Sequence, residues 1–252
     1  IENYMIRIEN ICKSFGEKQV LKNINMEIRE GETLAIIGGS GSGKSTLLRL
    51  LIGLDRPTSG EIYIMGQAIS HMQEAELDKL RMNMGMVFQY SALFDSMTVG
   101  ENVAFGLREH TDLSEEEIQA IVARKLEQVG LPGIQSTMPG ELSGGMKKRV
   151  GLARAIAFDP KIIFYDEPSS GLDPITTVKI DELMKETQKK QKATSVVVTH
   201  DMVSACNIAD RIAMIYEGEL IAIDTVKNFC HIKDERVQSF MQRMYMGREQ
   251  AE

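Results

Sequence analysis

At 252 residues with 43% apolar content, the chain is long enough for one large domain with a subdomain and a full core. Its net charge of −7 and pI near 5.3 produce a field that repels nucleic acid and anionic lipid surfaces, which argues against a DNA-binding role. Three scattered cysteines, Cys12, Cys206 and Cys230, lack metal or disulfide spacing and fit a reducing compartment, and no apolar run approaches the ~20 residues needed to cross a bilayer.

From the N-terminus, "IENYMIRIEN" carries acidic residues and no apolar core, so no secretory leader is expected; Met5 is a candidate natural start. The following stretch alternates apolar and polar residues with breaks at Gly16 and Gly31, which predicts short strands ending in a buried one at Leu34 to Ile37. A glycine-rich loop then opens the helix "STLLRLLIGL", and "SGEIYIMGQ" returns as a strand. From about Thr98 to Phe158 the pattern is helical, with a capping box at Ser114 and Glu117 ahead of Ile118, Ile121, Val122, Leu126 and Val129. The cationic run "KETQKKQK" at 185 to 192 suits a solvated helix end. Strands resume in "KIIFYD", "TSVVVTH" and "RIAMIYEGELIAID", the last with a hairpin turn at Glu217-Gly218. Strands alternating with helices imply an α/β fold whose parallel sheet is covered on both faces and into which the helical block 98 to 158 is inserted. Ligands of such sheets bind at the carboxyl ends of the strands.

The strongest motif is Gly38-x-x-x-x-Gly43-Lys44-Ser45, a P-loop in the required context between an apolar strand and a helix. Its residues Gly38, Gly39, Ser40, Gly41, Ser42, Gly43, Lys44, Ser45 and Thr46 are expected to cradle phosphates, with Lys44 on the outer phosphates and the Ser45 hydroxyl on Mg2+. The strand Ile162 to Tyr165 delivers Asp166, a candidate metal ligand, and Glu167, a candidate for orienting or deprotonating the attacking water. An acidic pair after a strand is otherwise a solvated loop, so that assignment depends on the P-loop. His200 ends "SVVVTH" and reads either as a γ-phosphate contact or as a structural histidine. Gln89 ends "GMVFQ" and reads either as an amide near magnesium or as a surface glutamine. A second phosphate-binding arrangement, Ser143-Gly144-Gly145, heads the run "KKRVGLARAIAF".

In order, the P-loop, Gln89, Leu142-Ser143-Gly144-Gly145, the 162 to 167 strand, Ser170-Gly171-Leu172-Asp173 and His200 resemble the nucleotide-binding domain of ABC ATPases over nearly the whole chain. The resemblance implies a P-loop NTPase with an antiparallel β subdomain, ATP and Mg2+ as ligands, and an ATPase domain at 4 to 230. Its core would span 30 to 97 and 159 to 224, its helical subdomain 98 to 158, and a tail 231 to 252. It places Phe15 against adenine, where a core phenylalanine is the alternative. One γ-phosphate does not take two cradles from one chain, and in this family two domains sandwich two nucleotides head to tail. Ser143, Gly144 and Gly145 are therefore expected to close over a partner's γ-phosphate, with Asp173 near the seam and a second copy of the chain as partner.

Within the family, a compact chain with one motif set and no cysteine pairs favours a transporter subunit over ATPases that act on DNA or ribosomes. In "QYSALFDSMTVGENVAFGLREH", Phe94, Met97, Val99 and Phe105 are divided between the core and a groove for a permease helix. The wording of that stretch, of "PGELSGGMKKRVGLARAIAFDPKIIFYDEPSSGLDP" and of "VQSFM" looks like the ATPases of MCE-linked (Mla-type) phospholipid transport; Met146 and Ser170-Gly171 agree. That resemblance implies transmembrane permease subunits, an MCE substrate-binding protein, a small accessory subunit, and a position on the cytoplasmic face of the inner membrane. The alternative is a polar amino-acid importer. Past the last strand, Val237, Phe240, Met241, Met244 and Tyr245 make one apolar helical stripe, expected either to pack on its own domain or to cross to a partner.

Overall fold

The computed structural model describes residues 3 to 249, and for residues 244 to 249 the backbone alone. In chain order it begins with β1 (Tyr4–Phe15), β2 (Lys18–Arg29), β3 (Thr33–Ile37), α1 (Lys44–Leu51), β4 (Ser59–Ile64), β5 (Gln67–Ala68) and α2 (Glu74–Arg81). It continues with β6 (Met84–Val87), α3 (Val99–His110), α4 (Glu115–Gln128), a 3-10 turn at Pro139–Glu141, α5 (Gly144–Ala155), β7 (Ile162–Asp166) and α6 (Pro174–Gln191). The last elements are β8 (Thr194–Thr199), α7 (Met202–Ile208), β9 (Arg211–Tyr216), β10 (Glu219–Thr225), α8 (Val226–Phe229) and α9 (Glu235–Glu249). The chain divides into two compact units, one of residues 1 to 79 with 194 to 252, the other of residues 80 to 193.

In the first unit β1 and β2 form a long antiparallel hairpin closed at Phe15↔Lys18, with Gly16 at φ 59° in its two-residue turn. With β4 and β5 they make a four-stranded antiparallel sheet ordered β2-β1-β4-β5. Alternation along β1 and β2 buries Ile6, Ile8, Ile24, Met26 and Ile28 and leaves the intervening positions wetter, as a sheet with one covered face requires. The strands "TLAII" of β3 and "TSVVVT" of β8 are instead buried at every position and pair in parallel, Ile37 level with Thr199. β9 runs parallel on the other side of β3, and β10 returns antiparallel through Glu217 (φ 47°) and Gly218 (φ 83°), the left-handed pair that a tight hairpin needs.

α9 closes this unit. Val237 is fully buried and Met241 nearly so, in one apolar cluster with Ala35, Ile37, Met202, Met214 and Phe229. Phe240 packs partly against it. Positions 237 to 241 of the predicted stripe therefore belong to the core of their own unit; the side chains of Met244 and Tyr245 lie outside the described residues. Met241→Ala is expected to cost about 2 kcal/mol of stability, read as a lowered urea midpoint; an unchanged midpoint would show that this side chain holds nothing. Against the same cluster the Cys206 and Cys230 thiols sit side by side. Burial first, and then this neighbour, pushes the Cys206 thiol up to about 11, so it stays protonated at neutral pH.

In the second unit β6 and β7 pair in parallel, Val87 level with Tyr165. Between them lie α3, α4 and α5. Ser114 and Glu117 form the predicted reciprocal cap of α4. A second capping box, Thr98 with Glu101, starts α3 and was not read from the sequence. Val99 is fully buried, so of the four apolar residues at 94 to 105 it joins the core, whereas Phe94 and Phe105 stay exposed with ring centroids 5.0 Å apart. The buried Asn102 holds their loop: its amide nitrogen donates to the Phe94, Met97 and Thr98 carbonyls, and its oxygen accepts from the Phe94 N–H at 2.8 Å.

Candidate functional site

In the first unit the P-loop leaves β3 and enters α1. Lys44 is buried and curls back, its Nζ donating to the Gly38 carbonyl at 2.5 Å and the Gly39 carbonyl at 3.2 Å. The loop is fixed from below by backbone contacts. A Cβ on Gly38 would stand 2.4 Å from the Ile215 carbonyl, and one on Gly43 (φ 110°) would meet Leu21 at 2.7 Å and Val20 at 3.1 Å. The Gly218 N–H donates to Ser42 O at 2.9 Å and the Gly218 carbonyl accepts from Lys22, so the β9–β10 turn, β2 and the loop are tied together. Gly43 caps α1 without a side-chain hydrogen bond, and the dipole at a helix N-terminus favours an anion. Gly39, Ser40, Gly41 and Ser45 are exposed, Thr46 is half-buried, and the buried Ser42 hydroxyl has no hydrogen-bond partner among the described residues. This is a cradle shaped for phosphate.

His200 follows β8 directly, and since Thr199 is level with Ile37, it leaves the same sheet edge as the P-loop and is exposed there. Phe15, at the end of β1, is 51% exposed and so is not a core phenylalanine. Lys13 Nζ lies 4.8 Å over its ring and also pairs with Asp55 at 2.8 Å, which leaves an aromatic surface open to a planar partner.

The second unit carries the remaining residues. Asp166 ends β7 and Glu167 follows in the left-handed region at φ 45°, an uncommon place for a non-glycine residue. Gln89, two residues beyond β6, leaves the same edge of the parallel pair. Its amide nitrogen donates to the Ser170 hydroxyl at 3.3 Å, and Ser170 N–H donates to the Glu167 carbonyl at 3.1 Å, so the predicted glutamine and glutamate share one hydrogen-bonded turn.

Ser143 is exposed and N-caps α5, its hydroxyl accepting from the Met146 N–H at 3.2 Å. Gly144 and Gly145 begin the helix. A Cβ on Gly145 would lie 2.8 Å from Thr176 Cγ2, so α5 and the start of α6 approach too closely for any side chain there. Asp173 caps α6, accepting from Thr176 N–H at 3.0 Å and Thr176 Oγ1 at 2.5 Å. Those two bonds hold its carboxyl below the usual range. The sequence suggested proximity to a seam for Asp173; the structure adds its work as a helix cap.

The apolar run "KKRVGLARAIAF" also carries two cations of α5 that its sequence does not single out. Lys148 is buried with its Nζ on the Gln89 carbonyl, and Arg154 donates to the carbonyls of Ser91 and Ala92. Charged residues carry no sequence mark that distinguishes a buried cation from a wet one, so only packing reveals them.

Similarity to known proteins extends over most of the chain. The family described as "ABC transporter" matches residues 21 to 170. The intermembrane phospholipid transport system ATP-binding protein MlaF of Haemophilus influenzae is 43% identical over 237 residues, covering 94% of this chain and 90% of that protein. The methionine import ATP-binding protein MetN of Mannheimia succiniciproducens is 41% identical over 249 residues, covering 96% of this chain and 72% of that protein. Among solved structures, the dimeric ATP-binding cassette MJ0796 bound to ADP and Pi aligns with a TM-score of 0.80 at 37% identity, covering 88% of this chain and 99% of that one.

Proposed function

The chain belongs to the ABC transporter family as an ATP-binding, ATP-hydrolysing subunit, and we propose that it works as a head-to-tail homodimer powering phospholipid transport in an MCE-linked system. The observation that carries the lipid reading is the 43% identity to a phospholipid transport ATP-binding protein over 94% of the chain. The dimer is supported by the dimeric state of MJ0796 and by two glycine-led helix N-termini, at α1 and α5, where a single γ-phosphate needs one cradle.

In this reading the P-loop from Gly38 to Thr46 binds the phosphates, Lys44 turns from its carbonyl partners to the outer phosphates, and Phe15 stacks on adenine. Glu167 accepts the proton of the attacking water, His200 holds that water in line, and Ser143, Gly144 and Gly145 cap the partner's γ-phosphate beside Asp173. Ser45, Gln89 and Asp166 offer the hard oxygen donors that suit Mg2+, which when bound neutralises the developing phosphate charge. Permease subunits dock on the exposed pair Phe94 and Phe105 with Tyr90, which is 85% exposed. An MCE protein and a small accessory subunit complete the assembly, and the ATPase works at the cytoplasmic face of the inner membrane through its permease. Among the described residues no helix is long and apolar enough to cross a membrane.

The 41% identity to a methionine import protein favours a second reading, an amino-acid importer. Reconstituting the subunit with its permease separates the two. ATP-dependent movement of labelled phospholipid between membranes, absent in Lys44→Ala, is the expected result; ATP-dependent accumulation of methionine without lipid movement would replace the lipid reading.

A further inference from the structure

The loop leaving β6 contains two consecutive non-glycine residues in the left-handed conformation, Ser91 at φ 62° and Ala92 at φ 47°. L-residues normally enter that region singly, because the Cβ crowds the following carbonyl. A consecutive pair persists only where its surroundings over-determine it. Here the restraint comes from one face of α5. Arg154 donates through Nη2 to the Ser91 carbonyl at 2.6 Å and through Nη1 to the Ala92 carbonyl at 2.7 Å. Six residues earlier on the same helix, Lys148 donates its Nζ to the carbonyl of Gln89. Between them Gly151 lies against Ser91, where a Cβ would stand 3.7 Å away.

These cations are not surface decoration. Lys148 is 6% exposed, and burial lowers the pKa of both Lys148 and Arg154, which for Lys148 is opposed by the nearby charges of Asp166 and Glu167. Withdrawing a cation from water is costly unless it finds acceptors, and the acceptors of both lie on the same loop. That loop also carries Gln89, whose side chain reaches Ser170 and so the Glu167 turn. The helix that supplies both cations begins at Gly144, directly after Ser143.

We propose that Lys148 and Arg154 are positioning residues for hydrolysis: they fasten the backbone of Gln89 to Ala92 to α5, so that the helix carrying Ser143, Gly144 and Gly145 at its start and the loop carrying Gln89 move as one body. A displacement of the α5 N-terminus on phosphate capture then reaches Gln89 through two side chains. This rests on the proposed catalytic roles of Gln89 and Glu167 and adds to them the parts that couple those residues to the phosphate cap.

The test is steady-state ATPase kinetics of the assembled transporter. Lys148→Met removes the donor and the charge while keeping the stem, and it lowers kcat about ten- to hundredfold, the effect of losing a charge-assisted hydrogen bond that sets geometry. KM for ATP stays within about twofold of the parent, because neither cation is part of the P-loop. Lys148→Arg, which retains a cationic donor, recovers most of the rate. Arg154→Lys, holding one carbonyl where two were held, gives a smaller loss of kcat in the same direction and serves as the second measurement if Lys148→Met fails to assemble. A Lys148→Met rate within twofold of the parent, an equal loss in Lys148→Met and Lys148→Arg, or an unchanged kcat in Arg154→Lys overturns the proposal. Glu167→Gln in the same complex keeps the two levels apart. If Glu167→Gln is inactive while Lys148→Met turns over normally, only the coupling fails; if Glu167→Gln also turns over normally, the catalytic reading itself fails.

Discussion

Replacing Glu167 by glutamine is expected to leave ATP binding intact and to cut steady-state turnover of the assembled transporter by about 10²- to 10⁴-fold, the usual contribution of a general base. The substitution keeps side-chain size and removes only the proton acceptor. The main-chain bond of this turn, from the Ser170 N–H to the Glu167 carbonyl, is untouched by the substitution. The fold should therefore survive, and a binding assay with labelled ATP beside the turnover assay separates a chemical defect from a binding one. Turnover within a few-fold of the parent would remove Glu167 from the role. Lys44→Ala offers the contrast. Lys44 Nζ bonds to the carbonyls of Gly38 and Gly39 and is the cation of the cradle, so its loss is expected to weaken nucleotide binding itself.

The second large effect is a recovery. Lys44→Ala and Ser143→Arg homodimers are each expected to be inactive, because one lesion disables the P-loop and the other places a long cation at the exposed start of α5. In a mixed dimer the proposed head-to-tail arrangement puts both lesions in one composite site and leaves the other whole. Equal mixing therefore restores about a quarter of the parent's sites, half of the dimers carrying one intact site of two. Differential tags confirm the heterodimer, and a dimer bearing a lesion in one site alone establishes that one intact site turns over. Under those conditions, absence of recovery would sink the trans assignment of Ser143. The loss of the Ser143 cap itself weakens α5 by about 1 kcal/mol, too little to unfold the unit, and a melting curve of each homodimer checks this.

What the sequence determined by itself is whatever a few adjacent residues decide. The P-loop register is legible because its glycines stand where a Cβ would strike its surroundings, the Ile215 carbonyl at Gly38 and the Leu21 side chain at Gly43. The Glu217-Gly218 hairpin is legible because its turn requires two left-handed residues in a row. The α4 cap at Ser114 and Glu117 is a bond pair three residues apart, and the central strands β3 and β8 announce themselves by the runs "LAII" and "VVV". Only the tertiary structure decided matters that depend on which surfaces meet. It sent Val99 inward and left Phe94 and Phe105 outside, although all three are equally apolar in sequence. It seated Val237 and Met241 in their own unit's core, a choice between covering partners that a helical stripe does not contain. It turned Asp173 into the cap of α6, and it set the buried Lys148 and the half-buried Arg154 against the carbonyls that follow β6. The physical reason is one of range: turn, cap and period are set by backbone sterics within a few residues. Burial and the pairing of a buried charge are set by residues some sixty positions away, as Ser91 is from Arg154, brought together only when the chain closes its core.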